Sequence, residues 1–258
     1  MEELKRYKTR MRFTKTGSVR FLGHLDLMRF FQKAVRRANL RVSYSKGFSP
    51  HQLMSFASPL SVGATTDGDY IDIEFEPDEA EPDVLMERLN SCLTDEIFIT
   101  AAERMPDGFK NSMSELKYAA YMITDKFDPG SRTSYTDISD SLTGGKNGFP
   151  DDHRNVFDSF AARESIPFIK KTKKSEREID LKPAIITYAY ELSDFEKKLG
   201  EKLPELHPVY TGESIFLKLP ASSDNTVKPE QIMDAFFAYA SFDPAPYGYQ
   251  IHRLQMWF

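Results

Sequence analysis

The segment from residue 7 to residue 13, YKTRMRF, alternates between core-type side chains and basic ones. One face holds Tyr7, Thr9, Met11 and Phe13, and the other holds Lys8, Arg10 and Arg12. Successive side chains of a β-strand point to opposite faces, so this pattern predicts a half-buried strand.

The next segment, residues 23–39, changes to the spacing of an amphipathic helix. Its apolar stripe consists of Leu27, Phe31, Ala34, Val35 and Ala38. Four basic residues fall at i, i+4, i+7 and i+8, and they are Arg29, Lys33, Arg36 and Arg37. We therefore predict a helix that packs its apolar stripe on a sheet and turns its cations to solvent.

The following elements complete a β-α-β-β-α-β order, which is typical of a ferredoxin-like domain. Short apolar or alternating runs predict strands at 53–57, 70–75 and 97–101, and Pro82 opens a helix that reaches residue 93. The first and third strands of such a sheet are antiparallel neighbours. We therefore expect the basic side chains of residues 8, 10 and 12 to face Tyr70, Asp72 and Glu74.

The second half repeats this order without repeating the sequence. Strands are predicted at 118–124, 179–190 (interrupted by Pro183), 214–219 and 249–256, and helices at 151–163 and 229–239. The predicted fold is α+β, with two tandem ferredoxin-like (βαββαβ) domains at 1–110 and 111–258. Glycine and small polar residues predict a mobile excursion at 128–150.

Composition places the chain among ordinary cytoplasmic proteins. Of 258 residues, 40% are hydrophobic and 28% are charged, which excludes collagen-like and disordered classes. No apolar run approaches the roughly 20 residues of a membrane-spanning helix. The first ten residues, MEELKRYKTR, lack the apolar core of a secretory signal. We expect no membrane partner.

Charge is distributed very unevenly along the chain. The net charge is −5, but residues 1–51 carry 13 Lys and Arg against 3 Asp and Glu. Residues 67–107 carry 14 acidic residues against 2 basic ones. An asymmetry of this size favours an anionic ligand for the basic segment.

The chain has a single cysteine, Cys92, so it cannot form an internal disulfide. A four-cysteine zinc site and an iron–sulfur cluster held by this chain alone are excluded for the same reason. Neighbouring apolar residues in a predicted amphipathic helix indicate a buried structural thiol.

Three ordered blocks in the first 75 residues resemble a known family. They are RFLGHLDLMR at 20–29, SKGFSPH at 45–51, and SPL at 58–60 before Gly63. A weaker block, REIDLKP, stands at 177–183. These blocks are similar to the radical-SAM-linked protein family, a bacterial domain of unknown function. Its members are fused to a radical SAM protein or encoded as a separate chain.

The resemblance implies a radical SAM protein as partner. The iron–sulfur cluster and SAM would then be bound by the partner only, and we expect no cofactor in this chain. The family supplies no established activity, so the site must be inferred from the residues themselves.

The basic residues predict an RNA-binding, non-catalytic companion that presents RNA for modification, and no DNA is expected. Cations on one helix face suit backbone phosphates, and aromatic groups beside a glycine suit stacked bases. The predicted RNA-binding residues are Arg29, Lys33, Arg36, Arg37, Lys46, Phe48, His51, Lys170, Lys171, Lys173, Lys174 and Arg177. The second group, 170–177, is predicted to lie on a loop. An ordinary solvated helix face explains the same cations equally well.

Two alternatives remain open. A metal-independent endoribonuclease would use His24 as general acid or base, with Tyr44 or Lys46 assisting. A protein-binding scaffold without nucleic-acid contact would dock through the acidic segment 67–107. A metal site from His24, Asp26 and His51 is not predicted, because these residues form no tight cluster.

Overall fold

A computed structural model describes residues 6–77, 79–125, 148–171, 176–204, 212–244 and 248–258. The chain divides into two compact units. Unit 1 comprises Met1–Lys117 with Gln255–Phe258, and unit 2 comprises Tyr118–Leu254.

Unit 1 alternates strands and helices in the predicted order. Its elements are β1 (Tyr7–Lys15), a 3-10 turn (Gly17–Phe21), α1 (His24–Arg37), β2 (Met54–Phe56), β3 (Thr65–Phe75), α2 (Pro82–Asn90), β4 (Ile97–Arg104) and α3 (Ser112–Glu115). The strands lie in the order β4-β1-β3, and β2 also pairs with β3. Each of these pairs is antiparallel.

The core of unit 1 lies between this sheet and the apolar stripe of α1. All five predicted stripe residues of α1 are buried. The ring of Phe31 meets Phe13 of β1 edge-on at 5.2 Å and Phe56 of β2 at 5.7 Å. Burial of each such side chain stabilises the fold by about 1.5–3 kcal/mol, so this contact fixes α1 on the sheet.

The pairing of β1 with β3 has the predicted register. Residues 8, 10 and 12 stand opposite Glu74, Asp72 and Tyr70. Of these pairs, Arg10 and Asp72 form a buried ion pair with Nε 2.9 Å from Oδ1. Lys8 instead donates to Asn111 Oδ1 at 2.6 Å and to the carbonyl of Phe109 at 3.2 Å.

The outer edge of β4 is partly occupied by a side chain. Asn90, the last residue of α2, donates from Nδ2 to the carbonyl of Ile99 at 2.9 Å. Its Oδ1 accepts the N–H of the same residue at 2.8 Å. The amide of one side chain therefore makes both hydrogen bonds that a neighbouring strand would make at this position.

Unit 2 has more elements than the sequence pattern predicts. They are β5 (Tyr118–Asp125), α4 (His153–Ala161), β6 (Pro167–Lys171), β7 (Glu176–Asp180), a 3-10 turn (Lys182–Ala184), β8 (Thr187–Ala189), α5 (Leu192–Leu199), β9 (Ser214–Pro220), α6 (Pro229–Tyr239) and β10 (Tyr249–Trp257), most of which lies in this unit. The strands follow the order β10-β5-β9-β8, while β6 and β7 form a separate antiparallel hairpin.

An aromatic cluster forms the core of unit 2. Phe157 of α4 meets Phe236 of α6 edge-on at 5.0 Å, and Phe160 meets the same ring at 5.8 Å. These three rings are almost fully buried together with Ile215 and Leu217 of β9. The two helices are thereby joined through the face that they turn to the sheet.

One prediction for unit 2 is wrong and another is confirmed. The basic cluster predicted on a loop lies partly on the β6–β7 hairpin, where Lys170 pairs with Arg177. Lys173 and Lys174 fall outside the described residues. The interruption predicted at Pro183 is confirmed, because a 3-10 turn at this residue separates β7 from β8. Proline lacks the N–H that a continuous ladder needs.

The predicted α+β class is confirmed. The tandem ferredoxin-like arrangement stays a prediction. Of the excursion predicted at 128–150, residues 128–147 lie outside the described residues. In the described ranges, none of the helices is both long and apolar enough to cross a membrane.

Candidate functional site

The exposed face of α1 carries three cations in the predicted pattern. Arg29, Lys33 and Arg36 are all exposed. The Arg29 side chain is 69% exposed and lies 3.2 Å from Asp26 Oδ1, which is itself exposed. Pairs of this kind contribute about 0–1 kcal/mol, so they leave the guanidinium available to a ligand. Within the part of the chain that the structure describes, Arg36 donates only to the carbonyl of Gln32 in its own helix, at 3.2 Å.

Arg37, the fourth predicted cation, has a structural contact. Its Nη2 donates to the carbonyl of Cys92 at 2.7 Å, which ties the end of α1 to the residues after α2. Cys92 is a free, half-buried thiol packed against the core. The face of α1 available to a ligand is therefore best defined by the other three cations, which we name the α1 cation face: Arg29, Lys33 and Arg36.

Residues 44–52 form a short hairpin, which we name the 44–52 hairpin. Its neck begins with a bridge between Tyr44 and Gln52. The N–H of Ser45 donates to the carbonyl of His51 at 2.9 Å, and Ser45 Oγ lies 2.8 Å from His51 Nδ1. The same hydroxyl accepts the His51 N–H at 3.1 Å. His51 is thus a neck residue, held by the fold through its ring and backbone.

The tip of the 44–52 hairpin projects from the unit. Lys46 and Phe48 are exposed, and the side chain of Phe48 reaches 111% relative exposure. Gly47 between them has a φ of +116°, a conformation that L side chains rarely adopt. A Cβ at this position would meet nothing within 4 Å, so steric crowding does not select the glycine. The positive φ of the turn selects it.

The hairpin base faces the side of the sheet that holds α1. Val42 lies in the core with Phe31 and Val35 of α1. Tyr44 follows two residues later and takes the same side in extended chain. Its ring is 48% exposed. Within the described ranges, no hydrogen bond or ring contact joins the hairpin tip to the α1 cation face.

The opposite face of the sheet in unit 1 is covered by later parts of the chain. The guanidinium of Arg10 lies 4.2 Å from the centroid of Phe258 and 5.3 Å from that of Phe109. The N–H of Ser112, at the start of α3, donates to Asp72 Oδ2 at 2.7 Å. The central strands β1 and β3 therefore offer no open platform for stacking bases at this position.

His24 begins α1 and packs into the unit. It is half-buried, and its ring meets Phe56 edge-on at 5.4 Å. The Tyr44 hydroxyl accepts a hydrogen bond from Gln52 Nε2 at 3.4 Å. Among the described residues, no hydrogen bond joins Tyr44 to His24.

The three residues considered as metal ligands, His24, Asp26 and His51, form no metal-binding cluster in the described part of the chain. Asp26 Oδ1 is bound by Arg29, while His51 belongs to the hairpin neck. A search of the described ranges finds no group of three or more His, Cys, Asp or Glu placed to hold a metal ion.

The predicted basic cluster of unit 2 is mixed in charge. Lys170 Nζ donates to the carbonyl of Thr226 at 3.1 Å, so this cation anchors the hairpin. Lys171 stands opposite Glu176 in the register, and Arg177 is exposed beside Glu178. The described strands of the hairpin therefore carry acidic residues as well as basic ones.

The sequence patterns missed a polar cleft in unit 2. It has a volume of about 730 Å³ and is lined by residues of α4, α5 and the segment around β8. The hydroxyls of Tyr188 and Tyr190 both donate to Asp158 Oδ1, at 2.9 and 2.6 Å. Burial, together with this carboxylate, raises the pKa of Tyr188 to about 12. Burial and the same carboxylate also raise the pKa of Tyr190, so both hydroxyls keep their protons further into alkaline solution than an ordinary tyrosine. The two-residue spacing of Tyr188 and Tyr190 was the signal that could have revealed them.

Two solved structures are distantly similar to this chain. An unknown protein from Galdieria sulphuraria is 8% identical, with 97% of this chain and 98% of that chain covered and a TM-score of 0.25. A heavy metal efflux pump is 12% identical, with 96% of this chain and 28% of that chain covered and a TM-score of 0.16. Neither score supports an argument about fold or function. No curated protein matches the sequence.

Comparison with protein families gives one match over most of the chain. Residues 8–229 match a family described as "Uncharacterized protein conserved in bacteria (DUF2344)". That description does not mention radical SAM enzymes, so the predicted link to them stays a prediction. The matched range contains α1, the 44–52 hairpin and the cleft of unit 2. On this match the chain belongs to the DUF2344 family of uncharacterized bacterial proteins.

Proposed function

We propose that this protein is a non-catalytic RNA-binding subunit that presents RNA to an enzyme. The observation that carries the proposal is the exposure of Arg29, Lys33 and Arg36 on one face of α1, with only weak or intrahelical partners. Protein cations that have no buried carboxylate partner remain available to neutralise phosphates. In this proposal the protein acts in the cytoplasm, and RNA rather than DNA or a membrane is the ligand.

The spacing of the α1 cation face supports a nucleic-acid backbone as ligand. Seven residues separate Arg29 from Arg36, a rise of about 10 Å along the helix. Because a nucleic-acid strand carries one phosphate per nucleotide, cations within about 10 Å on one helix face can contact the same short stretch of backbone. Lys46 on the hairpin adds a fourth exposed charge in the same unit.

The proposal includes a ferredoxin-like fold for each unit. The strand order of unit 1, with β2 beside β3, supports it, as does the order β10-β5-β9-β8 in unit 2. In both units the second strand is short, and in unit 2 the β6–β7 hairpin and α5 are additions to the βαββαβ pattern.

The proposed partner is a radical SAM protein. The resemblance of the blocks at 20–29, 45–51 and 58–60 to the radical-SAM-linked family supports it, and so does the single cysteine of this chain. An iron–sulfur cluster bound by cysteine ligands would have to be held by another protein, which would also bind SAM.

Binding of fluorescent cellular RNA, followed by anisotropy across a salt series, tests the proposal. We expect affinity to fall with salt, and we expect the variant R29E/K33E/R36E to lose binding. The matched control reverses three exposed lysines elsewhere, Lys110, Lys117 and Lys197. It makes the same change in net charge and should bind RNA far better than the α1 variant. Equal binding by wild type and the α1 variant would overturn the proposal.

A further inference from the structure

The tip of the 44–52 hairpin presents an aromatic ring without using it in the fold. Phe48 has the highest relative exposure among the exposed large hydrophobic residues of the described ranges, 111% against 69% for Leu25. Isolated exposed apolar residues are common and need no explanation. Phe48 differs because the chain on both sides of it is shaped to hold it outward.

The neck of the hairpin supplies that shape. Three contacts between Ser45 and His51, through backbone and side chain, close the loop six residues apart. Gly47 then turns the chain through a positive φ immediately before the aromatic residue. A loop closed in this way loses less conformational freedom when a ligand binds, so its tip is preorganised.

The chemistry beside the ring favours a nucleic-acid base over an apolar protein surface. Lys46 is exposed two residues before Phe48, and Tyr44 provides a second half-exposed ring on the side that holds α1. Aromatic rings interleaved with cations are the combination that single-stranded RNA uses, since bases stack and phosphates pair.

We infer that the 44–52 hairpin binds unpaired RNA, with one base stacked on Phe48 and a neighbouring phosphate near Lys46. This inference rests on the proposed function and names its substrate class. Bases of an A-form duplex are stacked on one another, and its major groove is too deep and narrow for side chains to read them. Duplex RNA would therefore contact the cations of α1 without engaging Phe48.

The test compares a single-stranded oligouridine with an RNA duplex of the same length, using the full-length protein. Loss of one stacking contact weakens binding about 5- to 150-fold. We expect F48A to lose this factor for the single strand and to bind the duplex as wild type does. F48W should restore single-strand affinity, and its added fluorescence should be quenched by the single strand but not by the duplex.

The control variant is F98A, which removes an exposed aromatic ring from β4. It should bind both RNAs like wild type. The inference is overturned if F48A binds the single strand with wild-type affinity, or if it loses affinity equally for both RNAs. The proposed function stands in either case. If wild type binds neither RNA, the proposed function fails as well, and a protein partner becomes the occupant to seek.

Discussion

Strand β1 and helix α1 carry similar numbers of basic residues, but the fold uses them in opposite ways. On β1, Arg10 is buried against Asp72, and Lys8 is tied to the segment before α3. On α1, the cations at 29, 33 and 36 remain in water. Two neighbouring stretches with four basic residues each therefore differ in what they offer a ligand.

The difference follows from how each element is covered. A strand in the middle of a sheet has neighbours on both sides and, here, a chain segment across its polar face, so its cations find fixed partners. A helix that packs one stripe on the sheet leaves the opposite face uncovered. The number of charges does not tell a cation with a fixed partner from a cation open to a ligand, but the secondary structure that carries it does.

The comparison predicts its largest change in unfolding free energy for a substitution of Arg10. Its removal in R10A leaves the Asp72 carboxylate buried at 2% exposure without its cation. Loss of one partner of a buried pair costs about 3–5 kcal/mol. Urea unfolding should show this loss, whereas R36A on α1 should stay within about 0.5 kcal/mol of wild type. A loss below about 1 kcal/mol in R10A would show that the strand cation is as dispensable as a helix cation.

A smaller change in unfolding free energy is expected for a substitution of Glu79, which forms ion pairs with Arg41 and Arg88. Burial acts to raise its pKa, but the N–H groups of Arg41 and Ala80 and the charge of Arg88 outweigh this, and the pKa lies below its ordinary value of 4.5. Stability from a lowered pKa is fully present above the unfolded value and is lost as pH falls through the folded pKa.

We therefore expect E79Q to lower the unfolding free energy by about 1.5–3 kcal/mol at pH 7, the range for hydrogen bonds to charged groups. The difference from wild type should shrink progressively below pH 4.5 as the carboxylate is protonated. Unfolding curves at several pH values measure this. A difference that grows in acid would contradict the sign of the shift.

The smallest effect is expected for K33A. Lys33 is exposed, and within the described ranges its ammonium donates to no residue and forms no ion pair. Unfolding should change by less than about 0.5 kcal/mol. The slope of log affinity against log salt for single-stranded RNA should fall by about 0.7, the value for one phosphate contact. An unchanged slope would assign Lys33 to the solvated surface.

Much of unit 1 could be predicted because its patterns are local and strong. Alternation in residues 7–13 and the expected strand order together predicted that Arg10 faces Asp72, and the strand register confirms it. Helix α1 differs from its prediction by one residue at the start and two at the end. The apolar stripe and the exposed cations both follow from a single period of 3.6 residues.

Unit 2 was harder because its additions are short and charged. The β6–β7 hairpin carries lysines and glutamates that suggest a solvated loop, and its cross-strand pairing depends on register rather than on hydrophobicity. Helix α5 has Leu192, Phe195 and Leu199 at helical spacing, and Gly200 ends it at φ +77°. Those signals were present in the sequence, but a run of eight residues is weak against the expectation of a loop.

The candidate site was predictable in composition but not in geometry. The basic helix face and the residues of the 44–52 hairpin stand out in the sequence. The contact between Ser45 and His51 makes His51 a neck residue and leaves Phe48 at the exposed tip. This contact depends on a turn with a positive φ at Gly47. The anchoring of Arg37 by Cys92 depends on where α2 ends in space.

The amide of Asn90 has a consequence for how the protein behaves in a crowded solution. An open strand edge is a template on which another chain can extend the sheet, and such growth leads to aggregation. By occupying both backbone groups of Ile99, this one side chain interrupts the template in the middle of β4. One residue of a helix thus shields part of this strand edge from pairing with another chain.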